Sequence, residues 1–136
     1  MHALDGVKIL DLTRVLAGPW CTQLLADLGA TVFKIEKPGE GDDTRSWGPP
    51  FAESSVTPGL RMATYFMSAN RGKYSVAIDI ATPEGAALVR EMAAQCDVLV
   101  ENFKVGALAR YGLGFDDLRA VNPRLIYASI TGYGQT

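Results

Sequence analysis

Histidine is nearly absent from this chain, and that shortage removes whole mechanisms. The only one is His2, beside the amino end. No Ser-His-Asp or Cys-His arrangement can be assembled, and histidine-based metal sites fall with them. Cysteine is scarce too. Cys21 and Cys96 both lie in or beside apolar helical segments, which reads as two buried free thiols rather than a disulfide. No apolar run approaches the roughly 20 residues of a membrane span, and the opening MHALDG shows no basic-then-apolar leader pattern. Positive charge is not in excess: 13 Lys and Arg stand against 15 Asp and Glu, for a net charge of −2. A nucleic-acid partner would need a basic face. The expectation is a cytoplasmic chain in a reducing setting, with neither nucleic acid nor membrane as partner.

What is present is an ordinary globular composition, 48% hydrophobic and 21% charged over 136 residues, near the size of one domain. The stretch Val7 to Glu36 organises the rest. It reads as strand, tight loop, helix, strand. The run from Val7 to Leu12 is short and apolar enough for a buried parallel strand. Pro19 suits a first helical turn. Trp20, Leu24 and Leu28, with Cys21 and Leu25 beside them, predict the helix's buried face, and Gly29 suits its end. Thr31 to Glu36 is the second strand. Lys37 to Arg61, rich in Gly and Pro, reads as a long irregular segment that is functional rather than disordered, because it carries Trp47 and Phe51. A short helix over Ala63 to Ala69 and a strand over Tyr74 to Ile80 follow. Thr82-Pro83-Glu84 is a helix start, with Leu88, Val89, Met92 and Ala93 as the buried stripe. Asp97 to Glu101 is a strand, Val105 to Tyr111 and Phe115 to Val121 are short helices, and Leu125 to Thr131 is a last strand. A loop starts at Gly132 and runs to Thr136. Five strands alternating with helices imply an α/β fold, a mostly parallel sheet with helices on both faces. Ending on a strand without its covering helix suggests part of a longer protein.

Ligands of such sheets sit outside the carboxyl ends of the strands. Here those ends are Arg14 to Gly18, Lys37 onward, Ile78 to Ala81, Glu101 to Lys104 and Thr131 to Gly134. Phe103 could cover a ring face or belong to the core. Lys37, Arg45, Arg71, Lys73, Lys104 and Arg110 are candidate phosphate partners or solvated charges. Asn102 could meet a ligand or cap a helix. Asp42-Asp43 reads as a solvated turn. Gly112 and Gly114 form too small a part of a dinucleotide fingerprint to count, so a nicotinamide site is not expected. Chemistry here would have to work through carboxylates, backbone donors and cations.

LDGVKILDLTRVLAGPWCTQLLADLGATVFKIEKPGEGDDTR, then NRGKYSVAIDI, VENF and PRLIYASITGYGQT, together resemble the amino-terminal part of the class III CoA-transferases, the CaiB/BaiF type. The resemblance covers essentially the whole chain, and RSWGPPF is most similar to members that move CoA between dicarboxylic acids such as succinate. It implies a Rossmann-like sheet, here residues 1–136 as the CoA-binding part of an incomplete large domain. The small domain would be absent from this chain. It implies a homodimer of interlocked chains, acyl-CoA and a carboxylic acid as substrates, and no permanently bound cofactor. Its CoA contacts carry over onto Leu16, Ala17, Lys37, Ile78, Asp79, Ile80, Ala81, Asn102, Phe103, Lys104 and Arg110. Its chemistry uses an aspartate that attacks the thioester to form a mixed anhydride. That residue would follow the Gly-Tyr-Gly-Gln segment, beyond Thr136, so the chain alone is expected to be inactive. Two alternatives stay open. Relatives that racemise 2-methylacyl-CoA share these motifs but have a shorter segment where this chain has Asp42 to Arg61. A chain ending at Thr136 would instead be a CoA-binding or assembly module.

Overall fold

The computed structural model describes residues 1–135. The loop expected to reach Thr136 therefore ends outside the described residues. The main sheet is formed by β1 (Lys8–Asp11), β2 (Thr31–Glu36), β5 (Lys73–Ala77), β6 (Val98–Glu101) and β7 (Ile126–Ser129). All neighbours are parallel, in the order β5-β2-β1-β6-β7. The order reverses at β1, which creates a crevice between the ends of β1 and β6. The strand-helix alternation expected from the sequence is the observed one.

Side chains alternate across a strand, and the two sheet faces bury different things. Leu10, Leu12, Ile35 and Leu99 point to one face. They pack against Val89 and Ala93 of α3 (Pro83–Ala93) and Leu118 of α4 (Phe115–Val121), with Leu108 and Leu113 filling the gap. Ile9, Val32 and Val100 point to the other face, against Leu25 and Ala26 of α1 (Ala17–Asp27). Fully burying each such aliphatic side chain contributes about 1.5–3 kcal/mol. Helix α3 starts as read: the Thr82 hydroxyl accepts from Gly85 N at 3.0 Å, and Pro83 opens the first turn. Its stripe is shifted, however. Leu88 is exposed, and Gly85, Ala86, Val89 and Ala93 are buried.

Helix α1 departs further from expectation. Trp20, Leu24 and Leu28 are each about half exposed, and Cys21 is exposed. The buried face is Gly18, Pro19, Thr22 and Gln23. Thr22 and Gln23 are wanted inside for their hydrogen bonds. The Thr22 hydroxyl donates to Asp11 Oδ2 at 2.6 Å. Gln23 donates to Ser68 O at 3.0 Å and accepts from Arg71 N at 2.9 Å. Cys96 is buried as expected, and both thiols are free.

The segment after Glu36 is more ordered than its composition suggests. A 3-10 turn spans Asp43–Ser46, and β3 (Phe51–Glu53) pairs antiparallel with β4 (Arg61–Ala63). Helix α2 (Thr64–Asn70) returns the chain to β5. The indole of Trp47 meets the Tyr65 ring edge-on at 5.2 Å, which docks the segment. Among the described residues, no helix is long and apolar enough to cross a membrane.

Candidate functional site

At the carboxyl ends of β1, β2, β5 and β6 lies a cleft of about 390 Å³. Leu12, Ile35, Ile78 and Ile80 form its apolar floor, and Phe103 and Tyr111 add aromatic surface. Charged groups stand around it: Arg14, Lys37, Glu40, Asp43 and Asp79. Gly85 brings the start of α3 close against the Ile78–Ala81 loop, since a Cβ there would sit 1.9 Å from Asp79 O. An apolar floor with a few placed polar groups is the usual form of a small-molecule site.

The turn between β1 and α1 is held almost atom by atom. Thr13 N donates to Asp11 Oδ1 at 2.9 Å, and Thr13 O accepts from Lys34 Nζ at 2.8 Å. The Asn102 side chain clasps Arg14 at both backbone groups, accepting from its N–H at 2.9 Å and donating to its carbonyl at 2.8 Å. Val15 N donates to both Asp42 oxygens, at 3.2 and 3.3 Å. Val15 has φ +70°, in the left-handed region that β-branched residues avoid. The Asp42 bond keeps it there.

Asp42 is therefore not a solvated turn residue. Its carboxylate is buried 2.9 Å from the equally buried Lys34 ammonium and caps the 3-10 turn through Thr44 N at 3.0 Å. Burial pushes the Asp42 carboxyl up, but Lys34 and the Thr44 hydrogen bonds outweigh it and hold it below its ordinary value. Glu36 follows the same pattern. Burial raises it, and Arg45 and Ser75 lower it further than that. Arg45 grips Glu36 with two bonds of 2.6 and 2.7 Å and lies 3.8 Å over the Phe66 ring.

Three candidate phosphate partners are thus already paired with carboxylates of the protein, Arg71 at the surface. Arg45 serves Glu36, and Arg71 forks onto Asp27. Lys73 is buried 3.0 Å from Asp11 and donates to Pro19 O at 2.8 Å. Burial lowers the Lys73 ammonium below its ordinary value against the pull of Asp11. Of the contacts transferred from the family, Lys37, Ile78, Asp79, Ile80, Ala81 and Phe103 line the cleft. Leu16, Ala17, Lys104 and Arg110 are surface residues outside its lining. Asn102 caps no helix and reaches no cleft wall; it holds Arg14. Lys104 borders a smaller recess of about 140 Å³ beside Glu101, Tyr127 and Gln135. Gly112 ends a 3-10 turn in the left-handed conformation rather than cradling a phosphate.

Tyr111, Leu12 and Glu40 also line the cleft. Of these only Leu12 carried a sequence signal, as the last residue of the apolar run from Val7. Tyr111 had none, because only the tertiary fold swings its 3-10 turn over the sheet ends.

Comparison with known proteins gives this arrangement a context. Residues 4–136 match the family described as CoA-transferase family III. The chain is 56% identical over 133 residues to a succinate–glutarate CoA-transferase of Agrobacterium fabrum, aligning 98% of itself with 33% of that protein. It is 56% identical over 136 residues to a succinyl-CoA:glutarate CoA-transferase of Mus musculus, covering 30% of it. The fold superposes on a CaiB/BaiF family protein from Brucella suis with a TM-score of 0.94 and 55% identity, over 99% of this chain and 35% of that one. The chain spans about a third of the length of these relatives.

Proposed function

The chain belongs to CoA-transferase family III, and from that premise we propose that it supplies the CoA-binding part of an enzyme moving CoA between dicarboxylic acids. The observation that carries this reading is the apolar cleft at the strand ends, where the residues carried over from the family gather most densely. The relatives named for succinate and glutarate support the dicarboxylate, as does the RSWGPPF segment.

In this reading the CoA chain lies along Leu12, Ile78 and Ile80, with Phe103 against a flat group and Lys37 near a phosphate. Leu16, Ala17, Asn102, Lys104 and Arg110 border the path outside the cleft proper. The longer polypeptide, of which this is the amino-terminal part, carries the aspartate. Its carboxylate attacks the thioester carbon, the C–S bond breaks, and CoA leaves as the thiolate. The thiolate returns to the aspartyl carbonyl of the mixed anhydride, which releases the donor as its carboxylate and leaves an aspartyl-CoA thioester. The acceptor carboxylate attacks that thioester, expels the thiolate and forms a second anhydride. The thiolate then attacks the acceptor's acyl carbon, which yields the new acyl-CoA and frees the aspartate. No resident cofactor is needed for these steps. A homodimer is the proposed working form.

The test is a titration of the isotope-labelled chain with CoA, followed by NMR. Shifts centred on Ile78 to Ala81 and Phe103, with a dissociation constant weaker than about 1 μM, are expected. Shifts confined to the opposite end of the sheet would overturn the cleft assignment. For the longer polypeptide, no CoA exchange between succinyl-CoA and any short-chain acid would overturn the transferase reading.

A further inference from the structure

Resting on the CoA reading of the cleft, we infer that Arg14 is its specificity-determining residue. Its guanidinium recognises an oxyanion of the ligand, a carboxylate or a phosphate, and Asn102 is its positioning residue.

The cations beside the cleft differ in how far they are already engaged. Lys34 is buried and engaged by Asp42 and Thr13 O. Lys37 is held by Glu40 at 2.6 Å. Arg45 is spent on Glu36. Arg14 alone of these is half exposed with a partner beyond hydrogen-bonding distance: Asp43 lies 3.7 Å away. An exposed ion pair of that length adds little stability, so a better acceptor can displace it.

The backbone of Arg14 is fixed, although its guanidinium makes no hydrogen bond among the described residues and has only the long contact to Asp43 and the Phe103 ring. Asn102 holds its N–H and its carbonyl, and the bonds to Thr13 and Val15 fix the residues on either side. The guanidinium stands 5.2 Å from the centre of the Phe103 ring, close enough for cation–π attraction. That platform keeps the planar fork at the cleft mouth without using its N–H donors. A fork of this kind matches the two oxygens of a carboxylate or phosphate, and prior ordering of the residue lowers the entropy lost on binding. The strained Val15 fits this picture as backbone held out of its preferred region to place its neighbour.

The experiment uses the labelled chain and two ligand pairs, each differing by one oxyanion. Succinyl-CoA against butyryl-CoA tests the carboxylate, and CoA against 3′-dephospho-CoA tests the phosphate. Wild type is expected to favour the richer member of one pair by about tenfold. In Arg14→Met that preference falls towards one, and Arg14→Lys restores part of it. Collapse in the first pair identifies a carboxylate as the partner, and collapse in the second a phosphate. Asn102→Ala is expected to reduce the same ratio. A merely structural role would weaken all four ligands alike and leave the ratios unmoved. Melting curves show whether each variant is folded. Ratios unchanged in Arg14→Met, with CoA still bound, overturn the assignment and spare the cleft reading. Absence of any shift with CoA on the wild-type chain overturns both.

Discussion

The two faces of the sheet solve the problem of burial in opposite ways. Under α3 and α4 the interior is hydrocarbon: Leu10, Leu99, Val89, Leu113 and Leu118 meet with no ion between them, and buried Glu101 enters that face only at the strand end, against the Ser129 hydroxyl and Phe103 N. Under α1 the interior starts as hydrocarbon at Ile9 and Val32 and turns ionic towards the carboxyl ends of the strands. There Asp11, Lys34, Glu36 and Lys73 are all buried or nearly so. Each buried charge has partners, and no buried side-chain polar atom among the described residues is left without one. Well-packed hydrocarbon would have been as stable or more so. What the ionic half provides is aim. Its bonds end on backbone atoms of the β1–α1 turn, which the hydrocarbon half has no means of gripping.

That contrast can be broken experimentally. Asp42→Ala leaves Lys34 buried without its counter-charge and Val15 N without its acceptor. It is expected to cost about 3–5 kcal/mol, read by denaturant unfolding. Leu118→Ala, in the hydrocarbon half, is expected to cost about 2–5 kcal/mol by the same measurement while leaving the turn's amide shifts in place. The joint replacement Lys34→Met with Asp42→Leu sharpens the contrast. Stability should recover most of the loss of Asp42→Ala, while the amide shifts of Arg14 and Val15 move.

Acid should separate the halves as well. Glu36 and Asp42 are held below their ordinary values of 4.5 and 3.8. Their contribution is fully present above those values and is lost as pH falls through the lower folded-state ones. A fall in melting temperature is expected as pH drops from about 5 to about 3, shallower in Asp42→Asn. An identical fall in that variant would remove Asp42 from the account. The smallest effect belongs to the thiols. Burial pushes Cys96 up to about 11, and Cys21 is exposed. One thiol per folded chain should react with a disulfide reagent at neutral pH, and Cys21→Ser should abolish that reaction while changing stability by less than about 0.5 kcal/mol.

The hydrocarbon half is also the half that the sequence discloses. Strands β1, β2 and β6 show as short apolar runs, and the start of α3 shows in Thr82-Pro83-Glu84, because these signals are local. Partnerships across distance are not. The polar face of α1 goes inside because Asp11 and the α2–β5 connection await Thr22 and Gln23. Its apolar stripe at Trp20, Leu24 and Leu28 therefore faces outward, the reverse of what helical periodicity suggests. Asp42 passes for a turn residue because its partner Lys34 lies on a strand whose alternation sends that side chain inward. The cleft's position follows from strand order, which parallel alternation narrows but does not settle. Tyr111 and Glu40 reach it by folds of loop that leave no trace in local pattern.

The excursion from Lys37 to Gly72 leaves the sheet at β2 and re-enters it at β5, and these two strands are direct neighbours, with Glu36 opposite Ala77. Its point of return is pinned by the amide of Gln23, which takes the place of a peptide group between Ser68 and Arg71. Structurally the excursion is a cassette. Its two ends are fastened to the scaffold independently of what lies between them. Closing a longer or shorter loop between fixed ends changes the free energy only slowly with length. A graft that keeps the turn Asp42–Arg45 and the sequence from Ser68 onward could therefore exchange the β3–β4 hairpin without disturbing the register of the sheet, and the fold offers this as its natural site for varying what approaches the cleft.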